Sequence, residues 1–384
     1  MKAGSIRVII TGGGTGGHIF PGVAIIKALE DICDTEVLWI GTGRPIEMMA
    51  LENTGWGHRI LNVKPIMGMG ISGTIISLFN LPFNILSSAR EIMRFNPHIV
   101  VGVGGYVAGP VILAAKILGK TTAIHEQNLK PGLSNRLSAR FSDIIFTSFN
   151  ETKDFFPDKN VILTGNPIRK EILACNNTKF FGSGSDFFKI LVIGGSQGAT
   201  GLNRLASSAM QILSNSAIKI EVIHQSGKND QKELEEFYIK NNINARAHDF
   251  ITDMGSAYNC ADLVICRAGA TTISEIAAVG KPAIFIPFPH STSGHQDENA
   301  KKIQDAGAAL FFRQDETGAV KLASEIESLI NQPERLKNMS LRARELGKTN
   351  AAQDIAENII KIANLNLVNK SETIKPGNFT GQLI

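Results

Sequence analysis

The sequence is short of cysteine, aromatic residues and long apolar runs, and each shortage removes a class of protein. Only four cysteines occur in 384 residues, at Cys33, Cys175, Cys260 and Cys266. None forms a Cys-x-x-Cys pair, so neither a disulfide framework nor a zinc site is expected, and reduced thiols in a cytosolic protein fit better. Aromatics make up 7% of the chain. No basic stripe is interleaved with them, which argues against nucleic acid as a partner. No stretch reaches the roughly 18–20 apolar residues of a spanning helix. The opening MKAGSIRVII holds too few apolar residues for a signal peptide. A soluble or peripheral protein is therefore expected. An Asp-x-Asp pair of the kind that holds a divalent ion in many transferases is missing too, so no essential metal is expected.

Glycine is plentiful, with 37 residues, and it clusters directly after apolar runs. That placement suits backbone approaching a ligand. The net charge of +4 is compatible with an anionic ligand or an anionic lipid surface. The length predicts two domains.

Apolar runs at 6–10 and 36–40 flank a glycine turn and a helical pattern, which predicts a parallel strand–helix–strand unit. A second such series starts near residue 189. Residues 101–128, VGVGGYVAGPVILAAKILGKTTAIHEQN, echo residues 264–290, VICRAGATTISEIAAVGKPAIFIPFPH. Each reads strand, glycine loop, helix, Gly-Lys, strand, polar cluster. Two doubly wound α/β domains follow, with ligands expected beyond the carboxyl ends of the strands, in a cleft between them. Gly165, Asn166 and Pro167 place the hinge near Pro167. The polar stretch 366–384 reads as a flexible tail.

Three glycine loops carry the chemistry. GGGTGGH at 12–18 has the spacing that lets bare amides and a helix N-terminus meet a phosphate. The following strand ends in Ile40, Gly41 and Thr42, without the acid that holds a dinucleotide ribose. The alternative is a tight turn whose glycines serve packing. In GGSQGA at 194–199, Ser196 and Gln197 add side-chain donors. In RAGATTISE at 267–275, Thr271, Thr272 and Ser274 either cap a helix or bind phosphate. Glu275 either complements the helix dipole or accepts from ribose hydroxyls.

Taken in order, GGTGGH at 13–18, GVGGYVAGP at 102–110, HEQN at 125–128, GNPIR at 165–169, GGSQGA at 194–199, HQSGK at 224–228 and the run 266–289 resemble one family. It is the bacterial UDP-N-acetylglucosamine–N-acetylmuramyl-(pentapeptide) pyrophosphoryl-undecaprenol N-acetylglucosamine transferases. The resemblance spans residues 5–363. It implies a GT-B fold, two Rossmann-like domains with the last helix crossing back to the first. The implied division is 1–167 plus 349–365 for the acceptor and 168–348 for the donor.

The resemblance also implies transfer from UDP-GlcNAc to the C4 hydroxyl of a lipid-linked muramyl-pentapeptide, with inversion and no cofactor. In a related reading, a UDP-GlcNAc 2-epimerase would share the nucleotide loops without the lipid; a non-catalytic UDP-sugar scaffold is a third. Ser196, Gln197 and Ala270, Thr271, Thr272, Ile273, Ser274 and Glu275 are expected at the diphosphate and ribose. Ile251 is expected at uracil, Arg169 at the nucleotide, Gln296 and Asn128 at the sugar. Thr15, Gly16 and Gly17 line the cleft and the acceptor pyrophosphate, and Tyr106 shapes the acceptor pocket. Where the family carries a glutamine-rich stretch, this chain reads HSTSGHQDENA, with His295 before Gln296.

A base must take the acceptor proton, and His18, at a helix start beside the glycine loop, is the foremost candidate. His125 and Glu126 come next. The lipid acceptor requires a membrane-facing surface. Residues 65–86, with Arg90, Arg94 and basic neighbours Lys64, Lys116, Lys130, Arg136 and Arg140, either meet anionic headgroups or form an ordinary buried helix. The implied location is the cytoplasmic face of the inner membrane, with other cell-wall synthesis proteins as further partners.

Overall fold

The computed structural model describes residues 3–63, 70–174, 186–195, 198–216, 218–289, 291 and 294–373. The loop residues Ser196 and Gln197, and residues 65–69 of the apolar segment, lie outside that set.

In the first domain the chain alternates β1 (Ala3–Thr11), α1 (Gly16–Ile32), β2 (Cys33–Gly41), α2 (Pro45–Leu51), β3 (Gly57–Ile60), α3 (Gly70–Phe95), β4 (Ile99–Gly102), α4 (Ala108–Ile117), β5 (Thr121–Glu126), α5 (Leu133–Ser138), β6 (Ile144–Thr147) and β7 (Val161–Leu163). All strand pairs are parallel, in the order β3-β2-β1-β4-β5-β6-β7. After a short α6 (Lys170–Leu173), the second domain repeats the scheme with β8 (Phe188–Ile193), α7 (Thr200–Ser214), β9 (Ile220–Gln225), α8 (Gln231–Lys240), β10 (Ala245–His248), α9 (Met254–Cys260), β11 (Leu263–Cys266), α10 (Ala270–Val279), β12 (Ala283–Phe285), α11 (His295–Asp305) and β13 (Ala309–Phe311). Its parallel sheet runs β10-β9-β8-β11-β12-β13. The helices α12 (Ala319–Ile330), α13 (Pro333–Leu346) and α14 (Ala351–Thr373) complete the chain.

The central strands are short apolar runs because both faces are covered: every residue of β4 and of β11 is buried. In each sheet the strand order reverses between the first strand and the fourth, at β1/β4 and β8/β11. The connections leaving these strands carry the glycine loops at 12–17, 102–105, 194–198 and 267–269, so these motifs sit at the two switch points where doubly wound sheets bind ligands.

Helix α14 does not stay with the domain that precedes it. Ile355, Ala356, Ile359 and Ala363 are buried in one cluster with Ile6, Val8 and Ile10 of β1 and Val23 and Ile26 of α1. A fully buried isoleucine contributes about 1.5–3 kcal/mol, so this seat holds the helix firmly. The helix also runs to Thr373, so residues 366–373 are helical where the polar composition predicts a tail. The chain thus passes between domains twice, and the passages touch. Gly165, at φ +91°, lies where a Cβ would come within 2.4 Å of Lys348 Cβ. Both the backbone sign and the lack of space require glycine there.

Candidate active site

The first glycine loop is built from two switch-point segments in contact. A Cβ on Gly105 would lie 2.4 Å from the Gly13 carbonyl oxygen, and one on Gly104 would lie 2.5 Å from His18 Nδ1. The His18 ring therefore occupies the space that any side chain at 104 would fill. Its Nδ1 lies 3.1 Å from the Val103 carbonyl oxygen, which also accepts from Gln127 Nε2 at 2.7 Å. A carbonyl only accepts, so in the neutral ring Nδ1 holds the proton and Nε2 holds the lone pair. Burial lowers the pKa of His18 from its ordinary value, opposed by the Val103 carbonyl and the Gln127 side chain. Burial thus favours the neutral ring, whose Nε2 is left as an acceptor.

His125 and Glu126 occupy a different setting. The His125 side chain is fully buried, with Nε2 3.1 Å from the Gly165 carbonyl oxygen, and burial drives its pKa down to about 4. Glu126 is 1% exposed. Its Oε1 accepts from Asn128 N and Nδ2, and its Oε2 from Gly132 N and Asn135 Nδ2. Four donors occupy the four lone-pair sites of a carboxylate. Burial raises the Glu126 pKa, and these bonds oppose the rise. One residue is thus sealed against the hinge, and the other has its acceptor capacity filled by the 128–135 loop.

The two domains meet through their glycine loops. Pro21 sits inside α1 and carries no N–H for the carbonyl four residues back, that of Gly17. Thr271 Oγ1 donates to that carbonyl at 3.0 Å from the first turn of α10, and accepts from Asn166 Nδ2 of the hinge at 3.3 Å. The hydroxyl expected at a phosphate or a cap thus bridges the domains. Gly269 is the N-cap of α10 and no side chain caps it, while Ser274 Oγ bonds back to the Ala270 carbonyl. The Ile273 side chain is core, 2% exposed, so a ligand meets that position only through its backbone. Ala270 is buried and Thr272 half-buried, with Thr15 exposed and Gly16 buried across the gap.

Arg169 leaves the hinge with its guanidinium 4.3 Å from the Phe20 ring centre, and its Nη2 lies 3.3 Å from Glu275 Oε1. Tyr258 Oη donates to Glu275 Oε2 at 3.0 Å. Burial raises the Glu275 pKa, opposed first by Arg169. A cavity of about 230 Å³ opens beside these residues, lined by Phe20, Val23, Arg169, Thr252 and Met254 among others. Ile251 N donates to Gln225 Oε1 at 3.0 Å, and Gln225 Nε2 donates to the Gly195 carbonyl at 3.1 Å. Gln225 therefore ties the loop after β8 to the loop expected at uracil. Gln296, in the first turn of α11, accepts from Phe288 N at 2.8 Å. Asn128 contacts the second domain: its Oδ1 accepts from Asn299 Nδ2 at 3.2 Å.

Sequence reasoning missed Arg44. Its Nη1 donates to the Gly14 carbonyl at 3.0 Å, with its guanidinium 6.0 Å from the Tyr106 ring. Buried Glu47 holds the same turn by accepting from Thr42 N, Thr42 Oγ1 and Gly43 N, with His58 Nε2 at 2.9 Å. Only the position of Arg44 three residues after the end of β2 hints at this. Among the described residues no group of three or more His, Cys, Asp and Glu side chains converges as a metal site would, and no helix is long and apolar enough to cross a membrane.

Comparison with known proteins places these features in a family. Residues 8–147 match the glycosyltransferase family 28 N-terminal domain and residues 189–359 its C-terminal domain. A UDP-N-acetylglucosamine–N-acetylmuramyl-(pentapeptide) pyrophosphoryl-undecaprenol N-acetylglucosamine transferase of Syntrophus aciditrophicus is 42% identical over 362 residues, 94% of this chain and 100% of the relative. The crystal structure of Acinetobacter baumannii MurG superposes with a TM-score of 0.75 at 30% identity, covering 93% of this chain and 99% of that one. A UDP-GlcNAc 2-epimerase from Neisseria meningitidis, bound to UDP-GlcNAc, reaches a TM-score of 0.66 over 93% of this chain and 100% of that one, but at 16% identity it shares the fold alone. Two facing parallel sheets, glycine loops at both switch points, and this similarity over nearly the whole length establish that the chain belongs to the UDP-N-acetylglucosamine–N-acetylmuramyl-(pentapeptide) pyrophosphoryl-undecaprenol N-acetylglucosamine transferase family.

Proposed function

We propose that the chain transfers N-acetylglucosamine from UDP-GlcNAc, with inversion, to the C4 hydroxyl of the muramyl sugar in an undecaprenyl-pyrophosphoryl muramyl-pentapeptide. The observation that carries this is the meeting of α1 and α10. Their first turns lie in direct contact through Thr271 and Gly17, so two helix N-termini and their bare amides converge on one seam. Helix N-termini favour anions, and preorganised donors stabilise charge as it develops. A departing UDP and an acceptor pyrophosphate are such anions.

In this reading residues 168–348 hold the donor. Ser196, Gln197 and the 270–275 turn take the diphosphate and ribose, Ile251 the uracil, Arg169 the nucleotide, and Gln296 with Asn128 the sugar. Residues 1–167 with 349–365 hold the acceptor, where Thr15, Gly16, Gly17 and Tyr106 meet its pyrophosphate and sugar. His18 Nε2 takes the proton of the C4 hydroxyl as it attacks the anomeric carbon and the bond to UDP breaks. No divalent ion is required, because the amides and helix dipoles carry the leaving-group charge.

The acceptor's lipid calls for a peripheral site on the cytoplasmic face of the inner membrane. Phe79, Phe83, Leu86 and Met93 of α3 are exposed, the first at 76%. With Arg90 they fall at helical spacing on one stripe. Helices α4 and α5, packed in series beside α3, add exposed Ile117 and Leu137, with Lys116, Arg136 and Arg140 nearby in sequence. This favours the interfacial reading of the segment over a buried helix.

The test is UDP release from UDP-GlcNAc with the lipid-linked muramyl-pentapeptide, in EDTA. Release matching sugar transfer supports the reading. Donor epimerisation without acceptor would assign an epimerase, and no turnover would leave a scaffold.

A further inference from the structure

One buried side chain joins the domains without belonging to either set of expected site residues. Asn299 lies on α11, one helical turn after Gln296, and is fully buried. Its Oδ1 accepts from Leu129 N at 3.1 Å, and its Nδ2 donates to Asn128 Oδ1 at 3.2 Å. Asn128 Nδ2 in turn donates to Glu126 Oε1 at 3.1 Å.

The chemistry at the two ends fixes every orientation between them. A backbone N–H only donates, so Asn299 must turn its oxygen to Leu129. A carboxylate only accepts, so Asn128 must turn its nitrogen to Glu126. The remaining pair, Asn299 N–H to Asn128 oxygen, then matches without a flip. The acceptor domain supplies a rigid anchor, since Glu126 is itself held by Gly132 and Asn135.

We infer that Asn299 is a positioning residue that locks the side-chain amide of Asn128 in one orientation from across the cleft, so that the helix carrying Gln296 also sets where Asn128 meets the donor sugar. This rests on the proposed transfer reaction. Gln296 and Asn299 are three residues apart on α11 and share a helix face. Any shift of the donor sugar site along the helix is thereby passed to the acceptor domain through one amide–amide bond.

The experiment is a double-mutant cycle on the full chain, with Asn128→Ala, Asn299→Ala and the pair. Transfer from UDP-GlcNAc and Kd for UDP, which lacks the sugar, are both measured. Asn299→Ala should lower kcat for transfer at least tenfold and leave Kd for UDP within twofold. In the Asn128→Ala background the same substitution should change kcat less than twofold, because its target is already gone. Multiplying losses would overturn the inference, and so would an equal weakening of UDP binding, which marks a merely structural role.

Should Asn299→Ala fail to fold, Asn299→Asp serves instead. It still accepts from Leu129 N but cannot donate to Asn128, so the same loss and the same erasure by Asn128→Ala are expected. A fully active Asn299→Asp enzyme would overturn the inference. If the unaltered chain transfers nothing, the functional reading falls with it; losses that multiply in an active enzyme sink only the role of Asn299.

Discussion

Thr271 supplies to Gly17 the hydrogen bond that Pro21 withholds. The helix-interior proline leaves the Gly17 carbonyl without its i+4 donor, and the hydroxyl from the opposite domain takes that place at 3.0 Å. A local defect in one helix thus becomes a specific contact with the other domain. Thr271→Val keeps the shape and removes the donor. Losing the net hydrogen bond costs about 0.5–1.5 kcal/mol, so Tm should fall by a few degrees and kcat/KM by up to roughly tenfold. Adding Pro21→Ala supplies a helical N–H to the same carbonyl and should shrink that loss; steady-state kinetics of the two single variants and the pair decides it.

His18→Gln should retain the fold and UDP binding while kcat falls by about 10²–10⁴. The pH profile gives an independent check. A base works when neutral, and burial lowers the His18 pKa from 6.5. The acid limb of kcat/KM should therefore have its midpoint below pH 6.5. A midpoint above it would remove His18 from the role.

Glu275→Gln keeps an acceptor for Tyr258 but drops the charge facing Arg169, and should weaken UDP binding roughly tenfold. Glu275→Ala goes further. It leaves the largely buried Arg169 guanidinium without its carboxylate, a change of about 3–5 kcal/mol for a buried pair. Calorimetric titration with UDP separates the affinity effect, and urea unfolding the stability effect.

Stability should decline on mild acidification. Burial depresses His125 to about 4 and His224 to about 3. In the unfolded chain both titrate near 6.5, so between those values the unfolded state binds protons that the folded state refuses. The contribution is fully present above pH 6.5 and is lost as pH falls, His125 alone accounting for about 3 kcal/mol by pH 4. Urea midpoints measured from pH 7 to pH 4.5 should fall steadily, and a flat profile would contradict the assignment.

Replacing Phe79, Phe83 and Leu86 together by serine should cut partitioning onto anionic vesicles severalfold. Turnover of a short-chain, water-soluble acceptor should stay within twofold, because these side chains face outward. Vesicle sedimentation and the soluble assay, run on one preparation, tell membrane docking from a general loss of structure.

Much of this architecture was readable in advance, for a physical reason. Strands buried on both faces show as apolar runs, and backbone that must approach a phosphate or another loop shows as glycine. The position of His18 beside such a loop was legible from its motif. The burial of His125 and Glu126 was not legible, since a polar residue at the end of a fully buried strand looks the same whether it faces a cleft or the interior. The contacts of Arg44, Gln225 and Asn299 were not legible, because each acts through partners distant in sequence, 170 residues away for Asn299 and Leu129. The role of Thr271 was half visible: its hydroxyl was marked, but its partner depended on a proline in the other domain.

The contact between Gly165 and Lys348 has a mechanical meaning. With the two crossings packed side by side, they brace each other and act together with the cross-domain bonds of Thr271 and Asn299. Any side chain at 165 would wedge these crossings apart.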